Sequence, residues 1–208
     1  MGKIIIIDNP AIKALLAVLR DERTSPEQFR SLTESVAASL CYEALRNAPL
    51  SPVSVKTPVG PADCEVLARK YAAVPILRAG LGMAGGVTRV IPGAAVWHIG
   101  FYRDHETLAP VEYYKNLPKN AAEYTALVLD PMCATGGTCS AAIAALKKHG
   151  VDDIKLLCLI SSREGLRRVQ NDHPDVDIYT AAVDETLNDI GYIVPGLGDA
   201  GDRLFGTV

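Results

Sequence analysis

Apolar residues recur along this chain with two periods, and the change from one to the other marks its elements. A run at residues 3–7 predicts a short strand. Ile12, Leu15, Leu16 and Leu19 then share one helical face. The next helix opens with Ser25 as N-cap, Pro26 at the first position and Gln28 at the third, the pattern of a capping box. Phe29, Leu32, Val36, Leu40 and Leu45 form its buried stripe. A turn-rich segment at 47–64 has room for a short edge strand, where proline is tolerated because an edge need not donate to a ladder.

From residue 72 onward the chain alternates. Apolar runs at 72–77, 94–102, 125–130, 154–160 and 176–183 predict strands, and 82–90, 137–149 and 162–171 predict helices. Near-continuous apolar strands separated by helices predict an α/β class, with a mostly parallel sheet covered by helices on both faces. No repeat, low-complexity tract or linker interrupts residues 1–208, so a single domain is expected. The glycine-rich end, 187–208, reads as a shaped loop region, neither helix nor buried strand.

Composition changes this picture only slightly. Hydrophobic residues make up 49% and charged ones 22%, with a net charge of -3. That balance offers nothing to a nucleic acid, so an anionic ligand must be met by local charge. The start carries only four consecutive isoleucines. A secretory core needs about 7–15 apolar residues and a membrane helix about 20. Five cysteines, without CxxC or Cys/His ligand spacing, suggest reduced thiols in a cytoplasmic protein and no metal site.

Three stretches carry candidate chemistry. In the first, a predicted strand ends at Asp130, and the loop Pro131, Met132, Cys133, Ala134, Thr135, Gly136, Gly137, Thr138 opens a helix. The unpaired N–H groups and dipole at such a helix start favour an anion. Gly136 and Gly137 permit close backbone approach, and Thr135 and Thr138 add hydroxyls, which together suit a phosphate monoester. Asp130 could bind the hydroxyls of an attached sugar or simply cap the turn. Cys133 is a candidate nucleophile or a packing residue. In the second stretch, Gly80, Gly82 and Gly85 spell GxGxxG, with Asp104 about 20 residues on, as in a dinucleotide site. Arg78 directly before the glycines fits better a loop that grips a diphosphate. The third stretch, 100–118, places Arg103, Asp104, His105 and Glu106 in a polar extension suited to an arm over a site, with Arg103 as a second cation.

Four segments make the sequence recognisable: VPILRAGLGM, YRDHETLAPVEYY, LDPMCATGGT and GYIVPGLGDAGDRLFGT, in this order. Together they resemble the uracil phosphoribosyltransferase family of type I phosphoribosyltransferases along essentially the whole chain. The resemblance implies that fold, with a protruding β-arm and a glycine-rich C-terminal base-binding loop. It implies transfer of phosphoribose from 5-phospho-α-D-ribose 1-diphosphate (PRPP) to uracil in pyrimidine salvage. Asp130 to Thr138 would hold the ribose and its 5-phosphate. Arg78 and Arg103 would bind the diphosphate and serve catalysis, with Asp199 reaching the same ligand. Ile193, Gly198, Asp199 and Ala200 would read uracil, with Tyr192 beside them.

The same resemblance implies Mg²⁺ held mainly through PRPP and water. Many phosphoribosyltransferases carry two adjacent acids before the phosphate loop, whereas here Pro131 takes the second place. A homodimer or larger homo-oligomer is expected, with GTP as an activator and no nucleic-acid or membrane partner. Two other readings remain at this point: a phosphoribosyltransferase for another base, and an RNA-binding regulator of the same fold, which would show a basic face.

Overall fold

In the computed structural model, residues 2–207 are described apart from 104–109 and the side chain of Arg103. The chain runs β1 (Ile4–Ile6), α1 (Pro10–Arg20), α2 (Pro26–Ala44), β2 (Leu50–Lys56), β3 (Pro61–Leu67), β4 (Lys70–Leu77) and α3 (Leu81–Val90). It continues through β5 (Ala95–Val96), β6 (His98–Arg103), β7 (Pro110–Asn116), a 3₁₀ turn at Ala121–Glu123, β8 (Tyr124–Leu129), β9 (Met132–Cys133) and α4 (Gly137–Lys148). The last elements are β10 (Asp153–Ser162), α5 (Arg163–Asp172), β11 (Asp177–Asp184), β12 (Thr186–Leu187), β13 (Ile193–Val194) and α6 (Ala200–Phe205).

Among the described residues, nine strands form one sheet in the order β1-β11-β10-β8-β4-β6-β7, with β5 on β4 and β9 on β10. All its pairings are parallel except β6 with β7. Both faces are covered, which explains the unbroken apolar runs. Tyr71, Ala73, Leu127, Leu129, Leu157, Leu159, Tyr179 and Ala181 point to the side packed by α1, α2, α3 and α6. The alternate positions Ala72, Val74, Ala126, Val128, Leu156, Cys158 and Ile178 point to the side packed by α4 and α5. The α/β class and the mostly parallel sheet are as expected.

The capping of α2 also follows the sequence: Ser25 Oγ accepts from Gln28 N at 3.2 Å. Three expectations change. The segment at 47–64 holds all of β2, the turn and the start of β3, which pair as an antiparallel hairpin set apart from the main sheet. Its prolines, Pro52 and Pro61, stand within strands that have a partner on one side only, where a missing N–H leaves no bond unmade. The run at 94–102 is two strands, broken at Trp97, whose N–H turns to Ala73 O at 2.9 Å. Finally, the C-terminal stretch contains both β13, with Ile193 buried, and the helix α6. Asp199 accepts from Asp202 N at 2.9 Å as the N-cap of α6, and Gly206 ends the helix at φ 65.

Candidate active site

The carboxyl ends of β4, β8 and β10 meet at one rim of the sheet, the place where open α/β sheets hold ligands. Asp130 follows β8 directly. Its Oδ1 accepts from Met132 N at 3.1 Å and its Oδ2 from Cys139 Sγ at 3.4 Å. Burial pushes the Asp130 carboxyl up to about 7, against the opposing pull of the Met132 N–H.

The loop beyond Asp130 leads into α4. Gly136 is its N-cap at φ 74, a left-handed conformation that suits glycine. Ser140 N is the first to close a helical bond, onto Gly136 O at 2.9 Å. The N–H groups of Gly137, Thr138 and Cys139 precede that bond and point out of the helix start. Gly137 N lies 3.5 Å from Thr135 Oγ1, so this hydroxyl belongs to the same cradle. The loop is braced from behind. Ser162 Oγ donates to Ala134 O at 2.5 Å and accepts from Gly165 N at 2.8 Å. Gly165 has no room for a side chain: a Cβ there would stand 2.5 Å from Ala134 O and 2.6 Å from Cys133 O.

Not every member of the predicted loop faces a ligand. Pro131 is buried, has no N–H to donate, and its carbonyl accepts from Ile160 N at 3.0 Å, so it serves chiefly to hold the loop against β10. Cys133 is also buried, among Cys139 and Cys158, so its side chain belongs to the core and not to a nucleophile at the surface.

Arg78 stands between β4 and α3, after a cis Leu77–Arg78 peptide. Its side chain is 57% exposed and pairs with Asp202 of α6 at 3.0 Å. The guanidinium therefore reaches the rim and is held there by this exposed ion pair and by the Phe205 ring, whose centroid lies 5.9 Å away, both weak restraints. The glycines after it serve packing. A Cβ at Gly80 would stand 2.3 Å from Leu129 O, one at Gly82 would meet the Leu204 side chain, and one at Gly85 would stand 2.8 Å from the Glu34 carboxylate. The GxGxxG pattern thus reports close approach of β8, α6 and α2, and the dinucleotide reading loses its basis. Arg103 ends β6, opposite Pro110 in the hairpin, while its side chain and Asp104, His105 and Glu106 lie outside the described residues.

The C-terminal residues close the site. Ala79, Met132 and Ala134 line a cavity of about 440 Å³ together with Tyr192, Ile193, Gly198, Asp199 and Ala200. Tyr192 Oη donates to Asp199 Oδ2 at 3.2 Å. Asp199 therefore orders the wall as well as capping α6.

Several residues that hold this wall carried no sequence signal. Arg20 donates to both carboxylate oxygens of Asp184, at 2.7 and 2.8 Å, and to Gly196 O at 2.7 Å. Asp184 accepts in turn from Gly196 N at 2.9 Å. Arg203 donates to Leu19 O, Leu197 O and Asp21 O at 2.5, 2.8 and 2.6 Å, and its guanidinium lies 4.4 Å from the Phe29 ring centroid. Arg20 and Arg203 reach most of these partners across more than 160 residues, so no local pattern could announce them.

A strand-end acid, a helix start whose first N–H groups have no partner within the helix, and a neighbouring arginine loop stand at the rim of a phosphoribosyltransferase-type fold. A hypoxanthine-guanine phosphoribosyltransferase structure from Bacillus anthracis shares it, with a TM-score of 0.52 over 76% of this chain and 80% of that one at 11% identity. The chain belongs to the uracil phosphoribosyltransferase family, whose model matches residues 6–207. It is 55% identical to the uracil phosphoribosyltransferase of Halalkalibacterium halodurans and 53% to that of Shouchella clausii, each over the full length of both chains. The structure of an Aquifex aeolicus protein superposes with a TM-score of 0.92, at 39% identity and 97% coverage of each chain.

Proposed function

We propose that this chain joins uracil to the ribose 5-phosphate of PRPP, forming UMP and diphosphate. The observation that carries the reading is the shared cavity: Met132 and Ala134 of the loop after Asp130 line it together with Ile193 and Gly198 to Ala200. A base bound there lies beside the sugar of a ligand whose 5-phosphate sits at the start of α4.

The 5-phosphate accepts from the N–H groups of Gly137 and Thr138 and from the Thr135 and Thr138 hydroxyls. Asp130 accepts from the ribose hydroxyls. Arg78, released from Asp202, and Arg103 hold the diphosphate by charge-assisted bonds. Backbone groups at Ile193, Gly198 and Ala200 match the carbonyl and N–H edge of uracil. Cytosine presents an amine in place of a carbonyl and leaves buried groups unpaired.

N1 of uracil then attacks the anomeric carbon as diphosphate leaves. The work of the protein is to position both reactants and to stabilise the departing charge through Arg78 and Arg103. Asp199 is a binding and ordering residue on the side of the base. Bound Mg²⁺ supplies further neutralisation of the diphosphate. The loop offers one acid, Asp130, followed by a buried proline that brings no carboxylate, which fits an ion held by substrate oxygens and water.

The same reading takes residues 1–208 as a single domain working in the cytoplasm as a homo-oligomer, with GTP a candidate activator. Among the described residues no helix is long and apolar enough to cross a membrane. Leu50, Val55, Val59 and Val66 stand exposed on the separate β2–β3 hairpin, Val59 at 99%, as suits an arm that another subunit covers.

Turnover tests the proposal directly. Uracil, cytosine, hypoxanthine and orotate are each supplied with PRPP and Mg²⁺, and nucleotide formation is followed. UMP from uracil alone is the expected result, and no UMP from uracil refutes it.

A further inference from the structure

Three cysteines meet beneath the phosphate loop. Cys133 lies on β9, Cys139 in the first turn of α4, and Cys158 on β10. Their sulfur atoms lie within 4.8 Å of one another, and all three side chains are buried. None is in a disulfide. Among the described residues no other three His, Cys, Asp or Glu side chains gather their ligand atoms in this way. The proposed transfer reaction uses none of the three thiols.

We propose that Cys133, Cys139 and Cys158 form a binding site for trivalent arsenic, and that its occupation shuts the phosphoribosyl site. The first half rests on the thiol geometry alone, and the second rests on the function proposed above.

Charge selects the ligand. The thiols sit in the aliphatic cluster that also contains Val128, Ile143 and Leu166. Three thiolates around a divalent ion leave a net negative charge, and the nearest polar partner, Asp130, would add another. An uncompensated charge is poorly tolerated in such surroundings. Arsenous acid avoids the problem. Its three hydroxyls are exchanged for three sulfurs: three As–O bonds break, three As–S bonds form, and each thiol proton leaves in a water molecule. Arsenic stays trivalent, no other reactant is needed, and the product is neutral.

The coupling follows from position. Drawing the three sulfurs onto one atom pulls on Cys133 in the loop and on Cys139 at the start of α4. It also removes the S–H that Cys139 donates to Asp130. Both the anion cradle and the ribose acid are displaced. Bound PRPP holds the same loop in place and slows the reaction.

The test uses the full chain carrying Cys64→Ser, because Cys64 is the one exposed thiol. Intact-mass measurement after arsenite treatment should show one arsenic gained and three hydrogens lost per chain. UMP formation should fall in parallel, and PRPP should slow both changes. Cys158→Ala in this background should stay folded by thermal unfolding and stay active, yet bind arsenite at least about tenfold more weakly, equivalent to about 1.4 kcal/mol. Cys158→Val serves the same purpose if the alanine variant does not fold. Cys41→Ala should leave the adduct unchanged. No adduct, or the same affinity in the Cys158 variant, overturns the site. An adduct with undiminished activity overturns the coupling. Absence of UMP formation before any arsenite is added counts instead against the proposed function, and the mass measurement still decides the site.

Discussion

Asp130→Asn separates the stability of this site from its activity. The carboxyl accepts from Met132 N and Cys139 Sγ, yet burial raises it from 3.8 to about 7. Between about pH 4 and 7 the folded protein keeps a proton that the unfolded chain has released, so stability falls as pH rises, and the loss is complete above about pH 7. Asparagine does not titrate and escapes this loss. The full displacement corresponds to about 4 kcal/mol. Asp130 keeps some solvent contact at the strand end, so about 1–3 kcal/mol is expected in practice. Urea unfolding should therefore find the variant about as stable as the parent near pH 4 and more stable near pH 8. UMP formation should move the opposite way. Hydrogen bonds to a charged acceptor are worth about 1.5–3 kcal/mol each, so losing the ribose acid should lower kcat/KM about 100-fold or more. In the parent protein, kcat/KM should rise as pH increases through about 7, because ribose needs the ionised acid. A variant less stable than the parent near pH 8, or a stability gap that ignores pH, would refute the argument.

Three further outcomes are expected. Arg78→Ala removes an exposed ion pair and an exposed contact with the Phe205 ring, so stability should fall by no more than about 2 kcal/mol while kcat/KM drops by orders of magnitude; matching losses of stability and activity would count against a role in catalysis. Gly165→Ala forces a methyl against the carbonyls of Cys133 and Ala134, which should destabilise by about 1–3 kcal/mol and weaken PRPP binding more than uracil binding, as calorimetry on each ligand can show. Arg203→Ala takes this donor from the carbonyls of Leu19 and Leu197 and leaves Asp21 O with Thr24 N alone, so stability should fall by about 2–3 kcal/mol and the KM for uracil should rise; an unchanged KM would show that this arginine does not position the base wall.

The sequence by itself determined what depends on near neighbours. Apolar runs marked the strands because both faces of the sheet are covered, and their alternation with helices specified a parallel α/β sheet. Ser25 and Pro26 announced the start of α2, and the glycines after Asp130 announced the start of α4, because caps and helix starts are local chemistry. The recognisable motifs added the family. Only the tertiary structure decided how these pieces meet. A continuous apolar strand fits any neighbour, so the sequence pattern could not say that β4 lies beside β8, or that the C-terminal wall lines one cavity with Met132 and Ala134. Arg20 finds Gly196 at a separation of 176 residues, and Arg78 finds Asp202 at 124. The cysteines at 133, 139 and 158 have no ligand spacing in sequence. They converge because β9 pairs with β10 and α4 packs over both.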